Sequence, residues 1–107
     1  MGYYTRYNIR VTGADNSNQM VKFAEELDLI DYEIAGEDGT VLGANFEDKW
    51  YDWERDMKRV SKSFPRMLIE VDGKGEDAED IWMARIRDGD SEIIYAKIVF
   101  DDFKIIK

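Results

Sequence analysis

Residues 3–12 read YYTRYNIRVT, and this stretch alternates between two kinds of side chain. The odd positions hold the residues suited to a core, namely Tyr3, Thr5, Tyr7, Ile9 and Val11. The even positions hold Tyr4, Arg6, Asn8 and Arg10. Because successive side chains of a strand point to opposite faces, the alternation predicts a first strand with one buried and one open face.

A helix that covers the buried face is predicted directly after this strand. Residues 13–18 have the composition of a turn, in which Asp15, Asn16 or Ser17 caps a helix over residues 18–28. The apolar residues of that helix recur at helical spacing at Met20, Phe23, Ala24 and Leu27. Such an apolar stripe needs a sheet to pack against.

Further strands and a second helix are predicted along the rest of the chain. In order they are a strand over 30–34, a strand over 40–50 with a bulge at Gly43, a helix capped by Asp52 and running to about Ser63, where Pro65 stops it, a strand over 67–71, and two hairpin strands over 81–87 and 92–100. Residues 72–75 and residues 88–90 are predicted to be turns, because both contain an Asp-Gly pair.

This element order predicts one α+β domain over residues 1–107. The order is β-α-β-β-α-β with an added C-terminal hairpin, which is the order of a ferredoxin-like split βαβ unit. An antiparallel sheet with two helices on one face is therefore expected. Trp53 and Trp82 share faces with apolar residues of their elements, so both are predicted to lie in the core.

The composition limits the chemistry that the chain can perform. It has no histidine and no cysteine, and 24 Asp and Glu against 15 Lys and Arg give a formal charge of -9. The commonest general base near neutral pH, the thiolate nucleophile and the soft metal ligands are thus missing. We expect no enzyme activity, no catalytic residue, no cofactor and no metal site.

Charge and hydropathy also indicate the kind of partner. No apolar run is long enough to cross a bilayer and residues 1–10 lack the apolar stretch of a signal peptide, so the chain is predicted to be cytoplasmic. A charge of -9 repels phosphates and anionic membranes. The expected partner is therefore a protein with a basic surface, such as a nucleic-acid-binding protein, rather than nucleic acid or membrane.

An acidic segment between residues 70 and 80 supplies the first candidate contact residues. They are Glu70, Asp72, Glu76, Asp77, Glu79 and Asp80. The segment is no EF-hand loop, because counting from Asp72 puts Lys74 at the third position and Asp77 at the sixth, where an oxygen ligand and glycine are needed. Charge that only keeps the protein soluble is the alternative interpretation. A second acidic block spans residues 25–38.

Two tyrosines complete the candidate contact residues. Tyr4 and Tyr95 are predicted to lie with Arg6, Arg10 and Lys97 on the sheet face that the helices leave open. That face is expected to bind protein or to self-associate, since the aromatic pattern of RNA-recognition modules is absent. The rival interpretation is a small ligand-binding domain or enzyme that uses carboxylates with Arg6 or Arg10 on this face.

Several short motifs carry a family resemblance. They are GYYTRY at residues 2–7, KWYDWE at 49–54 with Asp56-Met57, SKSFP at 61–65, GKGE at 73–76 and DIW at 80–82. Together they resemble a family of small uncharacterised phage and prophage proteins, and the resemblance spans most of the chain. It implies no activity for any residue. A phage setting implies an inhibitor of a host protein, a class that includes acidic DNA mimics.

Overall fold

The computed structural model describes residues 2–36 and 38–97, which form an open sheet covered by helices. The elements in chain order are β1 Thr5–Thr12, α1 Ser17–Glu26, β2 Glu33–Ala35, β3 Val41–Asp48, α2 Trp53–Ser63, β4 Leu68–Gly75, β5 Ile81–Arg87 and β6 Asp90–Tyr95. All six strands join one antiparallel sheet in the order β2-β3-β1-β4-β5-β6. The predicted α+β class with two helices is confirmed.

The strand β1 lies near the centre of the sheet and has the predicted two faces. Tyr7, Ile9 and Val11 are buried, whereas Arg6 and Arg10 are exposed on the opposite face. Pairing continues across both neighbours, since Ile9 faces Ala44 of β3 and Val71 of β4, which are also buried. The alternation in residues 3–12 thus determines which side of the whole sheet becomes the core.

Both helices cover this buried face. The side chain of Asn16 accepts a hydrogen bond from the Gln19 N–H at 2.9 Å, so of the three predicted caps Asn16 is the one that is used. In the core, the rings of Phe23 and Phe64 meet edge to face with centroids 5.7 Å apart. Within the described ranges, the helices are too short or too polar to span a bilayer.

The last two strands form a hairpin with the predicted turn. Asp88 and Gly89 have φ angles of 48° and 82°, and the flanking residues Arg87 and Asp90 pair across the turn. Two consecutive positive φ angles are what a tight two-residue hairpin loop requires, and Asp-Gly tolerates them well. The predicted strand over 92–100 instead begins at Asp90 and ends at Tyr95, and residues 98–100 lie outside the described residues.

Three further details of the predicted strands are wrong. No bulge occurs at Gly43, because β3 pairs without a break and Gly43 faces Arg10 on one side and Glu33 on the other. The second strand begins at Glu33 rather than at residue 30. Residues 72–75 are not a turn, since β4 continues to Gly75.

Gly73 continues the strand because a tryptophan occupies the space beside it. Gly73 pairs with Trp82 of β5, and a Cβ atom at Gly73 would overlap the Trp82 indole. The same indole stacks on Trp53 of α2 with ring centroids 4.3 Å apart and meets Tyr7 of β1 at 6.2 Å. Trp82 of β5 therefore contacts β1, α2 and the side-chain-free backbone of β4. Its predicted place in the core is confirmed.

Substitution of Gly73 tests this packing. Gly73→Ala forces a methyl group into the Trp82 ring, so we expect a loss of about 1–3 kcal/mol of unfolding free energy in a denaturant titration. Gly43→Ala is the matched control, because a Cβ there meets nothing within 4 Å and alanine is the better strand residue. Equal stability of the two variants would contradict the packing described here.

Alkaline titration tests the burial of Tyr7. Burial raises the pKa of Tyr7 from 10.0 to about 12, and its hydroxyl donates to the Trp50 carbonyl at 2.9 Å. The pKa of Tyr7 is higher in the folded than in the unfolded protein. Its contribution to the free energy of unfolding is therefore fully present below pH 10 and is lost as the pH rises through 12. Between these pH values the melting temperature should fall less steeply with rising pH for Tyr7→Phe than for wild type. The control Tyr95→Phe, whose ring is exposed, should follow wild type. Three parallel curves would contradict this assignment.

Candidate functional site

The topology brings three connections to the end of the sheet at which β1 begins. Thr5 of β1 faces Asp48 at the end of β3 and Gly75 at the end of β4, and Lys74 faces Ile81 at the start of β5. The connections after β3 and after β4 consequently lie at this one end. The connection after α1 joins them, because residues 27–31 line a common groove with Phe46, Glu47 and Asp48 of β3. We call residues 27–32, 47–52 and 76–80 the acidic end.

Nine carboxylates and one basic side chain, Lys49, belong to the acidic end. The carboxylates are Asp28, Asp31, Glu47, Asp48, Asp52, Glu76, Asp77, Glu79 and Asp80. They come from both acidic blocks of the sequence and from the β3–α2 connection between them. The connections at the opposite end hold fewer carboxylates, with Asp15, Asp38 and Asp88 among the described residues, and Arg66 there pairs with Asp15 at 3.4 Å.

The N-terminal tyrosines hold the acidic β4–β5 loop in place. The Tyr3 hydroxyl donates to Asp80 Oδ2 at 2.8 Å and accepts from the Asp77 N–H at 3.0 Å. The Tyr4 N–H donates to Glu76 Oε1 at 3.1 Å. The bond from Asp77 N–H lowers the pKa of Tyr3, but desolvation and the carboxylates of Asp80 and Asp77 outweigh it and the pKa is raised. These bonds hold closely spaced carboxylates in place against their mutual repulsion.

The β3–α2 connection is also held by the N-terminal segment. The Tyr3 N–H donates to the Tyr51 hydroxyl at 2.8 Å, and the Lys49 ammonium lies 4.8 Å from the centre of the Tyr4 ring. The Trp50 indole N–H donates to Asp56 Oδ2 at 2.8 Å. Two of the three acidic connections are thus anchored to the same few residues before β1.

Four of the six predicted acidic contact residues lie together in this end. They are Glu76, Asp77, Glu79 and Asp80, with Tyr4 beside them. Glu70 and Asp72 lie elsewhere, within β4 on the open sheet face. There Glu70 lies 3.8 Å from both Arg10 and Arg85, so two neighbouring arginines compensate its charge.

The prediction that Tyr95 shares the open face with Tyr4 is wrong. Tyr95 faces Trp82 across the β5–β6 pair, and Trp82 points to the helices. Directly paired residues lie on the same side of a sheet, so it is Ile94 that faces outward with Met83. Tyr95 is 64% exposed at the end of β6, which places it at the same end of the sheet as the acidic loop.

The open face offers a weaker site for the rival interpretation. Its hollow has a volume of about 400 Å³ and is lined by Asn8, Arg10, Glu70, Val71, Asp72, Met83, Ala84, Arg85, Glu92 and Ile94. Arg6 lies apart from it, donating to Asn45 at 3.0 Å and lying 3.7 Å from Glu47. All three arginines named on this face, Arg6, Arg10 and Arg85, are therefore engaged with carboxylates of the same face. Across residues 2–36 and 38–97, no three acidic side chains are grouped to hold a metal ion.

Asp28, Asp31 and Asp48 were not among the sequence-predicted contact residues. Their place follows from the element order, because α1 and β3 both run back toward the end of the sheet at which β1 starts. No family model, curated protein or solved structure matches the chain. The chain's own geometry is thus the basis for assigning a function to this end.

Removal of the Tyr3 hydroxyl should loosen the acidic loop. Tyr3→Phe deletes the bonds to Asp80 and from Asp77, so we expect a loss of about 1 kcal/mol in stability and faster amide exchange at Gly75 and Asp80. Tyr4→Phe is the control, because its contact to Glu76 uses the backbone N–H and survives the change. Unchanged exchange at both amides in Tyr3→Phe would contradict the role given to this hydroxyl.

Proposed function

We propose that this chain is a small non-enzymatic binding protein that docks its acidic end on a basic surface of a protein partner. The observation that carries the proposal is the meeting of three acidic connections at one end of the sheet. Charge that served only for solubility would have no reason to be concentrated there. The opposite end, with Arg66 and a smaller number of carboxylates, supplies no comparable concentration of one charge.

The exposure of these carboxylates determines how they contribute to binding. Asp28, Asp31, Asp48, Asp77 and Glu79 are exposed, so each pairwise attraction is weakened by water. Together they produce a field that draws a basic partner toward the acidic end and orients it. The contribution is therefore expected mainly in the association rate, whereas specificity needs contacts of another kind.

A nucleic-acid-binding protein is the partner class that we favour. Such a protein carries a basic groove built for phosphates, which are spaced at one charge per about 1.7 Å of duplex. The acidic end presents carboxylates from three separate connections to such a groove. The resemblance of motifs such as GYYTRY to phage proteins fits this class, since it implies an inhibitor of a host protein that acts as a DNA mimic.

We also propose that the first four strands and the two helices are a ferredoxin-like unit extended by β5 and β6. The support is the order β2-β3-β1-β4, in which β3 is inserted between β1 and β2, together with two helices on one face. In this arrangement the added hairpin provides Trp82 and creates the β4–β5 loop of the acidic end. The extension thus contributes directly to the proposed binding surface.

Charge neutralisation at the acidic end tests the proposed function. The variant Glu76→Gln, Asp77→Asn, Glu79→Gln and Asp80→Asn removes four charges and retains the oxygen acceptors for Tyr3 and Tyr4. Association with a labelled oligo-arginine peptide is measured by stopped-flow fluorescence at about 0.05 and 0.5 M salt, where the Debye length is roughly 14 and 4 Å. We expect association at low salt to be about tenfold slower for the variant, with a smaller dependence on salt.

The matched control removes four charges from the opposite end. Asp15→Asn, Asp38→Asn, Asp88→Asn and Asp90→Asn changes the net charge of -9 by the same amount, and all four side chains are exposed. Its association rate should stay within about twofold of wild type. Equal rates for the two variants would mean that only total charge matters, and the proposal would then be wrong.

A further inference from the structure

A groove with apolar walls opens at the acidic end, between the α1–β2 connection and the start of α2. Its volume is about 440 Å³, within the range of roughly 300–1,000 Å³ that is usual for ligand pockets. The apolar lining residues are Leu27, Leu29, Ile30, Phe46 and Trp50. The remaining lining residues are all acidic, namely Asp28, Asp31, Glu47, Asp48 and Asp56.

The apolar part of the groove is preformed. Phe46 and Trp50 pack on Tyr7 with ring centroids 5.5 and 5.7 Å away, and on each other at 6.2 Å. The indole N–H of Trp50 is held by Asp56. A binding partner would therefore meet fixed aromatic rings and would not have to order them first.

One apolar residue of the groove is displayed to water. Ile30 is 92% exposed, although it follows Leu27 and Leu29, which pack on or in the core. Asp28, two residues before Ile30, has a φ angle of 65°, a conformation that non-glycine residues adopt infrequently, and it turns the chain out of α1. The result is an isoleucine presented at the rim of an aromatic groove.

The charge of the groove selects the occupant. Of its carboxylates, Glu47 lies 3.7 Å from Arg6 and Asp56 lies 3.8 Å from Arg55. Over residues 2–36 and 38–97, none of the ion pairs includes Asp28, Asp31 or Asp48. The rim therefore presents uncompensated negative charge around an apolar floor. A complementary segment has an apolar side chain for the floor and cationic side chains on both sides of it.

We propose that this groove binds a protein segment in which one apolar side chain is flanked by lysine or arginine. The apolar side chain lies against Phe46, Trp50 and Ile30, and the flanking cations reach the carboxylates of the rim. This inference rests on the proposed function, to which it adds a recognition element. It supplies the specificity that exposed charges alone do not provide.

Two peptides of equal charge provide the probe. One has four lysines on each side of a central leucine, and the other has glycine in place of the leucine. Fluorescence anisotropy with wild-type protein should give a dissociation constant about tenfold lower for the leucine peptide, which corresponds to about 1.4 kcal/mol. Ile30→Ser should abolish most of this preference while the glycine peptide binds as before. Its side chain is so exposed that the fold is expected to be retained.

The control variant and the other outcomes separate the two proposals. Ile94→Ser removes another exposed isoleucine, 68% exposed on the open sheet face, and should retain the tenfold preference. If wild type binds both peptides equally, or if Ile94→Ser alone loses the preference, the groove inference is wrong and the acidic end as a docking surface still stands. If neither peptide binds, the proposed function is wrong and the groove inference is wrong with it.

Discussion

The contact between the Trp82 indole and the bare backbone at Gly73 is the constraint on which the rest of the structure depends. Only glycine leaves room for the ring, and the ring in turn stacks on Trp53 at 4.3 Å and meets Tyr7. Through this one side chain, β5, β4, β1 and α2 are held in a single packing arrangement. Dispersion contacts of this kind are individually weak, but a buried aromatic ring makes many of them at once.

The same arrangement determines where the charges lie. Because β4 continues straight past Gly73 to Gly75, its acidic loop leaves the sheet beside the start of β1, where Tyr3 and Tyr4 fasten it. The ends of α1 and β3 reach that end through the antiparallel order. Their carboxylates then join those of the loop, and the groove lined by Ile30 lies between the α1–β2 connection and the residues around the β3–α2 connection. Packing in the core thus produces the surface that we assign to binding.

Local patterns in the sequence predict a large part of this fold. The alternation in residues 3–12 gives the buried face, and the Asp88-Gly89 turn gives the hairpin. The Asp-Gly pair at Asp72 predicts a turn where β4 continues, because packing of Gly73 against Trp82 outweighs the turn preference of the pair. The prediction for Tyr95 is wrong for a different reason. Ile93 and Ile94 are both apolar, so the sequence does not show which of the two faces the helices.

The acidic end was harder to predict because it depends on contacts distant in sequence. Asp28 and Asp31 belong to one acidic block and the residues 76–80 to another, and no local pattern relates them. The order of the strands relates them, because it determines which connections lie at the same end of the sheet.

Backbone amide chemical shifts, recorded while the leucine-centred lysine peptide is added to ¹⁵N-labelled protein, test the binding surface most directly. We expect the shifted amides to be concentrated in residues 27–32, 47–52 and 76–80. Amides around Arg10, Glu70 and Arg85 on the open sheet face should change little. Shifts concentrated on that open face, with the acidic end unaffected, would contradict the central claim.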